Sequence, residues 1–200
     1  MSETVSPGKR AVTRDLILDQ AYAMACQDGV EGLSIGTLAA AVGMSKSGVF
    51  AHFGSREDLQ LAVLESGARR FMAHVLVPAL TQPRGIERLR SMIGHWCEWG
   101  HKYKRGCVLL SATSEYDGRD GALHDWVVRM QAGWRGELEK AIAFAKAEGH
   151  LRGDTDEGQL AFEIYALMLG LHHDAGLFGI EQARKRTDAA VQRLLASYEP

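Results

Sequence analysis

The chain has 200 residues, of which 46% are hydrophobic, and this apolar fraction is ample for the core of one large or two small domains. Its formal net charge of -2 at pH 7 does not by itself indicate a nucleic-acid-binding protein. Three cysteines, an odd number without paired spacing, argue against a secreted disulfide framework and fit a reducing cytoplasm.

The composition favours helices along the whole chain. There are only four prolines, and alanine, leucine, glutamate, arginine and methionine recur at helical spacing, so we expect an all-α fold. The N-terminal residues contain no apolar signal-peptide region, and the longest uncharged apolar run, residues 164–171, is too short to cross a bilayer. We therefore expect a cytoplasmic protein without a membrane anchor.

The most informative stretch is residues 34–59, which predicts two short helices joined by a tight turn and followed at once by a third helix. Ser34, Ser45 and Ser55 each stand where a side-chain oxygen can accept a hydrogen bond from the first free N–H groups of a helix. Gly43 lies at the sharp turn, where glycine adopts a left-handed backbone without steric cost. This layout is that of a helix-turn-helix DNA-binding motif.

Apolar residues beside these caps predict how the helices pack. Leu33 and Leu38 stand at the two positions of a hydrophobic staple around the first cap, and Met44 and Val49 do the same around the second. The small Ala39 allows the second helix to approach the first closely, as the motif requires. The sequence thus predicts both the helix ends and the buried seam between them.

The same stretch follows, in order, a pattern of residue types that is specific only as a whole. The matching residues are Thr37, Leu38, Ala39, Gly43, Met44, Ser45, Lys46, Gly48, Phe50, His52, Phe53, Arg56, Glu57 and Leu59. On these residues the segment from Thr13 to Leu64 resembles the N-terminal domain of the tetracycline-repressor (TetR) family of bacterial transcription regulators. One position departs from the pattern, because Phe50 stands where the family most often has a tyrosine whose hydroxyl contacts a DNA phosphate.

The resemblance and the local charge together give the candidate DNA-binding residues. Residues 9–56 carry a small excess of basic side chains, which can contact DNA phosphates. Phosphate contacts fix the register of a protein on DNA. Lys46, at the second position of the recognition helix, could also reach guanine acceptors in the major groove. The candidates are Lys9, Arg10, Arg14, Thr37, Ser45, Lys46, Ser47, Gly48, Phe50, His52 and Arg56.

Some of these residues also have an ordinary structural interpretation. Lys46 could be a solvated charge, and Arg56 could form a surface ion pair with Glu57 or Asp58, an interaction worth about 0–1 kcal/mol. Phe71, an aromatic residue at helical spacing, is expected in the core. We expect Lys46 to contact DNA, and leave the two interpretations of Arg56 open.

Beyond residue 60 the sequence predicts six helices separated by clear breaks, which brings the total to nine, the number typical of the resembled family. A capping box of Asp154 and Glu157 is expected to open the eighth helix. The predicted spans are residues 56–77, ending before Pro78, then 86–103, 107–116, 123–148, 154–178 and 181–197. We expect a helix-turn-helix domain over residues 1–58 and a helical ligand-binding and dimerisation domain over residues 59–200.

The eighth predicted helix is apolar on almost every side. From Leu160 to Phe178 only Glu163 and Asp174 carry formal charges, so its own domain cannot cover all of its surface. A two-fold contact with a second copy is the common solution, and in the resembled family the last two helices of each subunit form a four-helix bundle. We expect a homodimer, with operator half-sites about 34–36 Å apart or a multiple of that.

The middle helices are expected to hold the sensor. Their bulky aromatic and sulfur-containing residues, with a few polar tips, are typical of an apolar ligand cavity, although a plain core would look similar. The resemblance implies that a pocket for a small effector exists, but it does not give the position of that pocket. The candidate pocket residues are Trp96, Trp99, Cys107, Leu110, Thr113, Met130, Trp134, Met168 and His172.

Three other chemistries fit the residues less well. Residues 32–36 match the G-x-S-x-G pattern of hydrolases, but that motif needs a preceding strand and Ser34 is expected to cap a helix. Metal sensing by His172, His173 and Asp174, with His95 or Cys97, lacks the ligand spacing of a known closed site. Redox sensing would need Cys97 or Cys107 in an electropositive setting, which His101, Lys102, Lys104 and Arg105 could give Cys107.

The sequence therefore predicts a ligand-responsive transcription regulator that is not an enzyme and uses no cofactor or metal. Its expected partners are double-stranded operator DNA, a small-molecule effector and a second copy of the chain, with no membrane. Repression is the expected sign of regulation, and activation is the alternative.

Overall fold

The computed structural model describes the backbone of residues 9–102 and 107–200, and the side chains of residues 13–99 and 107–200. These residues form nine helices, when one continuous rod over residues 56–79 is counted once, and no strand. The all-α prediction is confirmed. The helices are α1 (Lys9–Asp28), α2 (Ile35–Ala41), α3 (Lys46–Phe53), α4 (Arg56–Phe71), α5 (Ile86–Lys102), α6 (Val108–Tyr116), α7 (Ala122–Ala147), α8 (Glu157–Phe178) and α9 (Ile180–Tyr198).

The sequence predicted that the helical rod beginning with α4 would stop before Pro78, but the rod continues to Ala79. A π-helical turn, Met72–Leu76, follows α4 directly, and a last α turn, Val77–Ala79, contains the proline. Proline lacks an N–H and its ring clashes with the preceding turn of a regular helix. Here the proline falls in the first turn after the π turn, the part of a helix in which a missing N–H is tolerated.

The predicted capping box of Asp154 and Glu157 is also wrong. Asp156 caps α8 instead, accepting a hydrogen bond of 2.9 Å from the N–H of Gln159, while Asp154 is exposed beside Arg152. Both aspartates have an acidic or amide residue three positions later, so the local pattern alone fits either one. The other predicted helix ends after residue 80 that fall on described residues lie within one residue of the structure.

Helix α4 lies at the centre of the packing. One continuous buried cluster contains residues of α1, α2 and α3 as well as residues of α5 to α9, and α4 contributes to it along its length. Gly67 marks a close approach between helices, because a Cβ placed there would lie 2.9 Å from Val108 Cγ1 and 3.3 Å from a carbon of Leu109 and of Tyr22. Among the described helices, none is both long enough and apolar enough to cross a membrane.

Replacing Gly67 by alanine tests this close approach. The added methyl must push apart α4, α6 and α1, so we expect Gly67→Ala to lower the free energy of unfolding by about 1–2 kcal/mol, as overpacking does. Gly133→Ala is the control, since Gly133 is exposed in the middle of α7 with no atom within 4 Å of the new Cβ. The free energy of unfolding of that variant should increase by about 0.5–1 kcal/mol, because alanine is favoured over glycine inside a helix. Urea unfolding of both variants measures the difference, and equal effects would contradict the packing argument.

Candidate functional site

Three serine caps define the helix-turn-helix segment. Ser34, Ser45 and Ser55 each accept a hydrogen bond, 3.0–3.1 Å long, from the N–H three residues further on. Each therefore satisfies one of the free N–H groups at the start of its helix. All three predicted caps are confirmed, and the hydroxyl of Ser34 is used in folding as the sequence suggested.

The turn between α2 and α3 brings the two helices together as predicted. Gly43 has φ +66°, and the N–H of Met44 donates to the carbonyl of Ala39 at 2.9 Å, which closes the turn. Leu38 and Val49 are fully buried across this turn. The chain therefore presents α3 on the outside of a fixed two-helix unit, as a recognition helix requires.

The exposed face of α3 carries the candidate DNA-reading residues. Lys46 and Ser47 are exposed, and the ring of Phe50 is 53% exposed. The Cε atom of Lys46 would lie 3.2 Å from a Cβ built on Gly36, so the lysine crosses the first turn of α2 at a residue that has no side chain. The sequence analysis missed Gly36, whose only local signal is a glycine early in a helix.

The remaining predicted DNA-binding residues are differently placed. The hydroxyls of Ser45 and Ser47 lie 3.1 Å apart, and the hydroxyl of Thr37 donates to the carbonyl of Ser34. His52 is half-buried, and its Nδ1 is enclosed without a hydrogen-bond partner. The Arg14 guanidinium lies 5.0 Å from the centre of the Phe53 ring, and the side chains of Lys9 and Arg10 fall outside the described part of the structure.

Arg56 pairs with neither Glu57 nor Asp58. Its Nε donates to the carbonyl of Leu33 at 2.9 Å, and one terminal nitrogen donates to the carbonyl and to the carboxylate of Glu31. The arginine at the start of α4 is thus tied to the loop between α1 and α2. About half of its side chain remains exposed, and its contact with a phosphate remains a prediction.

The same loop is bound from the other side by the end of α6. The carboxylate of Glu115 accepts hydrogen bonds from the N–H groups of Val30 at 3.1 Å and Glu31 at 2.7 Å. Gly29, with φ +78°, makes room for it, because a Cβ there would lie 2.6 Å from a carboxylate oxygen of Glu115. These contacts join segments 84 and 85 residues apart, and no local sequence signal could have identified them.

Glu31 is the centre of a charged network on this loop. The hydroxyl of Tyr116 donates to its carboxylate at 2.8 Å, and Arg56 and Arg119 lie within 3.3 Å of its two oxygens. The Tyr116 hydrogen bond, followed by the charges of the two arginines, lowers the pKa of Glu31. Burial and the same hydrogen bond raise the pKa of Tyr116, so at neutral pH the tyrosine is a neutral donor to an ionised carboxylate.

The predicted pocket residues do assemble, but around a nearly closed space. Two cavities of about 10 Å³ and 20 Å³ lie side by side, and Trp96 and Leu110 line both of them. All the other predicted pocket residues line one of the two, except Thr113, whose hydroxyl donates to the carbonyl of Leu110 at 2.6 Å. Each cavity has room for about one water molecule. The residues missed by the sequence analysis are Phe71, Leu109, Gln131, Leu171, Ala175 and Ile180.

Phe71 connects this cluster to α4. Its ring makes edge-to-face contacts with the rings of Trp96, Trp99 and Trp134, with centroids 5.9, 5.7 and 4.8 Å away. The residue is buried, as expected for a core aromatic, and it is the last residue of α4 before the π turn. A movement of these indole rings would therefore act directly on the end of α4.

The rival chemistries receive no support from the geometry of these residues. Burial raises the pKa of Cys107, and it raises the pKa of Cys97 to about 11, so both thiols are held in the unreactive protonated form. The side chains proposed to activate Cys107, at residues 101, 102, 104 and 105, lie outside the described residues. Within the described part, no group of three or more histidine, cysteine, aspartate or glutamate residues could hold a metal ion.

Comparison with known protein families agrees with this geometry over most of the chain. Residues 17–63 match bacterial regulatory proteins of the tetR family, and residues 85–191 match the tetracyclin repressor-like C-terminal domain. No curated protein matches the chain in sequence.

Solved structures share the fold over nearly the full length. A TetR transcriptional regulator from Chloroflexus aurantiacus is 24% identical, with 92% of this chain and 96% of that one covered and a TM-score of 0.80. A TetR-family regulator from Cytophaga hutchinsonii is 19% identical, with 98% of each chain covered and a TM-score of 0.82. AibR, solved in complex with isovaleryl coenzyme A and operator DNA, is 24% identical, with coverage of 91% and 97% and a TM-score of 0.73.

Removing the Glu115 carboxylate tests the contact between α6 and the first loop. Glu115→Ala leaves the N–H groups of Val30 and Glu31 without their acceptor in a partly buried place, so we expect a decrease of about 1–3 kcal/mol in the free energy of unfolding. Glu139→Ala, at an exposed position of α7, is the matched control and should change it by less than about 0.5 kcal/mol. Chemical denaturation of both variants gives the comparison. Equal stabilities would show that the loop does not need this carboxylate.

Proposed function

The chain belongs to the tetR family of bacterial regulatory proteins, and we propose that it is a cytoplasmic repressor that binds a palindromic operator as a homodimer and is released by a small, largely apolar ligand. Members of this family are transcription regulators rather than enzymes. The observation that carries the proposal is the capped two-helix unit, which holds the exposed face of α3 outward. The supporting example is AibR, whose structure contains both operator DNA and an acyl coenzyme A.

On this proposal, the start of α3 docks in the major groove. Lys46 and Ser47 lie at its exposed N-terminal end, where a recognition helix meets base edges, and the free N–H groups of the first turn favour a phosphate nearby. None of the salt bridges of the described residues involves Lys46, so its ammonium group is not held by a carboxylate. Phe50 can contact a thymine methyl group through its exposed ring.

The homodimer is proposed to form through α8 and α9. Phe162, Leu169 and Leu177 are exposed at intervals of seven and eight residues, which places them on one face of α8, and Phe178 is exposed beside them. A row of large apolar side chains of this kind is costly to leave in water, and a second copy of the same surface covers it. Two copies then present two α3 helices to successive major grooves of a symmetric site.

Ligand release requires that the effector bind the DNA-incompetent arrangement more tightly than the competent one. Two connections could transmit a ligand-induced movement from the sensor to the DNA-binding helices. Phe71 joins the indole cluster to the end of α4, and Glu115 joins the end of α6 to the loop before α2. A coupling free energy of about 1–3 kcal/mol would lower operator affinity about 5- to 150-fold.

The DNA-binding proposal is tested by selecting an operator from a random DNA pool and measuring its affinity across a salt series by fluorescence anisotropy. We expect the selected sequence to be palindromic and Lys46→Ala to bind it with lower affinity. The slope of the logarithm of the affinity against the logarithm of the salt concentration should be shallower by about one for each phosphate that the variant no longer neutralises. Lys140→Ala is the charge-matched control, because Lys140 lies on α7 and pairs with Glu137. No enriched sequence, or equal slopes for both variants, would refute the assignment.

A second experiment tests the dimer surface. Leu169→Glu places a charge at the centre of the exposed α8 face, so we expect sedimentation equilibrium to show a monomer where the wild type is a dimer, with operator affinity reduced accordingly. Val128→Glu is the control, because Val128 is an exposed apolar residue on α7 and should not affect assembly. If Val128→Glu dissociates the dimer and Leu169→Glu does not, the interface lies elsewhere.

A further inference from the structure

Trp134 has an unused hydrogen-bond donor in the middle of the indole cluster. The residue is only 5% exposed, it lines the cavity of about 20 Å³, and its Nε1–H has no hydrogen-bond acceptor in the part of the chain that the structure describes. Its ring is packed edge-to-face between Phe71 at 4.8 Å and Trp96 at 5.1 Å, and neither ring offers a lone pair. Buried donors are paired in almost all native structures, so an unpaired one beside a cavity needs an explanation.

Gln131 places a second polar group beside the same cavity. It lies three residues before Trp134 on α7, which puts the two side chains on one face of the helix, and both line the cavity. No hydrogen bond among the described residues uses the Gln131 amide. One turn of α7 therefore offers two neutral donors to whatever enters this space.

The polar groups around both cavities are uncharged. Besides the indoles, Gln131 and His172 are the only nitrogen-bearing side chains that the described residues contribute to the two linings. Burial lowers the pKa of His172, which keeps that ring neutral at pH 7. Among the side chains that the structure describes, no lysine, arginine, aspartate or glutamate lines either cavity. A charged ligand would lose its hydration here and gain no counter-charge, which is strongly unfavourable.

The walls of the cavities are aromatic and adaptable. Indole and phenyl rings surround the space and favour edge-to-face contacts with another ring. Met130 lines one cavity and Met168 the other, and these unbranched side chains repack easily. Leu110 lies between the two cavities, so its displacement would join them into one site.

From these observations we propose that the effector site takes an uncharged aromatic molecule with a carbonyl-type acceptor, which receives hydrogen bonds from Trp134 Nε1 and the Gln131 amide. The inference rests on the proposed function in one respect, since it names the ligand class of the sensor in that proposal. Ligand binding can be measured in the absence of DNA, so this test does not require an operator.

The test compares three probes of similar size on the full-length protein by equilibrium dialysis. Coumarin is neutral and has a carbonyl acceptor, naphthalene has no acceptor, and 2-naphthoate carries a charge. We expect coumarin to bind about 5- to 150-fold more tightly than naphthalene, as two neutral hydrogen bonds allow, and 2-naphthoate to bind more weakly than coumarin.

Variants identify the donor. In Trp134→Phe the preference for coumarin over naphthalene should fall to what the Gln131 amide alone provides, whereas naphthalene should still bind, which shows that the site is intact. Trp126→Phe, at a half-buried tryptophan on the same helix that lines neither cavity, should keep the preference. Gln131→Leu provides a second variant at a half-buried position and should reduce the preference in part.

Four results would overturn the inference: no binding of coumarin, equal binding of coumarin and naphthalene, tightest binding of 2-naphthoate, or an unchanged preference in both Trp134→Phe and Gln131→Leu. Operator binding, measured in parallel without a probe, separates this inference from the proposed function. A coumarin preference in a protein that selects no operator would support the site and refute the regulator. Operator binding without a coumarin preference would do the reverse.

Discussion

The rest of the structure depends on the close approach at Gly67. Because that residue has no side chain, α4 can lie directly against Val108 and Leu109 of α6 on one side and Tyr22 of α1 on the other. The helix-turn-helix segment and the C-terminal helices therefore share one buried core among the described residues. In a close-packed interior a shift of one element is transmitted to its neighbours, so the position of α4 cannot change without affecting both ends of the molecule.

The contact of Phe71 with the aromatic cluster and the contact of Glu115 with the α1–α2 loop lie at opposite ends of this core and are of different kinds. Phe71 is held by ring edges, which can slide past one another at low cost, whereas the α1–α2 loop is held by Glu115 through two directional hydrogen bonds. On the proposed function, the aromatic end is the part that yields to a ligand, and the hydrogen-bonded end is the part that transmits the displacement to α2. Helix α6 takes part in both, since Leu110 lines the cavities and Glu115 lies little more than one turn further on.

The sequence was informative where the determining contacts are local. The three serine caps and the turn at Gly43 depend on atoms within about four residues, and each was predictable from the pattern alone. Asp156 shows the limit of that approach, because two aspartates satisfied the same local rule and only the folded chain distinguishes them. The Glu115 contact spans more than eighty residues, so it has no local signal. Most of the predicted pocket residues line the two cavities because aromatic and sulfur-containing residues cluster on adjoining helices. Six further lining residues were not predicted, and the closure of the space is a property of how all of them pack.

That closure bears on how a ligand would be sensed. Cavities of about 10 Å³ and 20 Å³ cannot hold an organic effector, so binding must be accompanied by movement of Leu110, the methionines or the indole rings. The apparent affinity is then the intrinsic affinity reduced by the fraction of molecules with an open site. A state with the site closed, its walls packed on Phe71, is the state in which α4 is held in place. If that closed state is the one that binds operator DNA, then opening the site and releasing the DNA are one equilibrium. A ligand that binds only the open state shifts this equilibrium, and it must supply the free energy that opening requires.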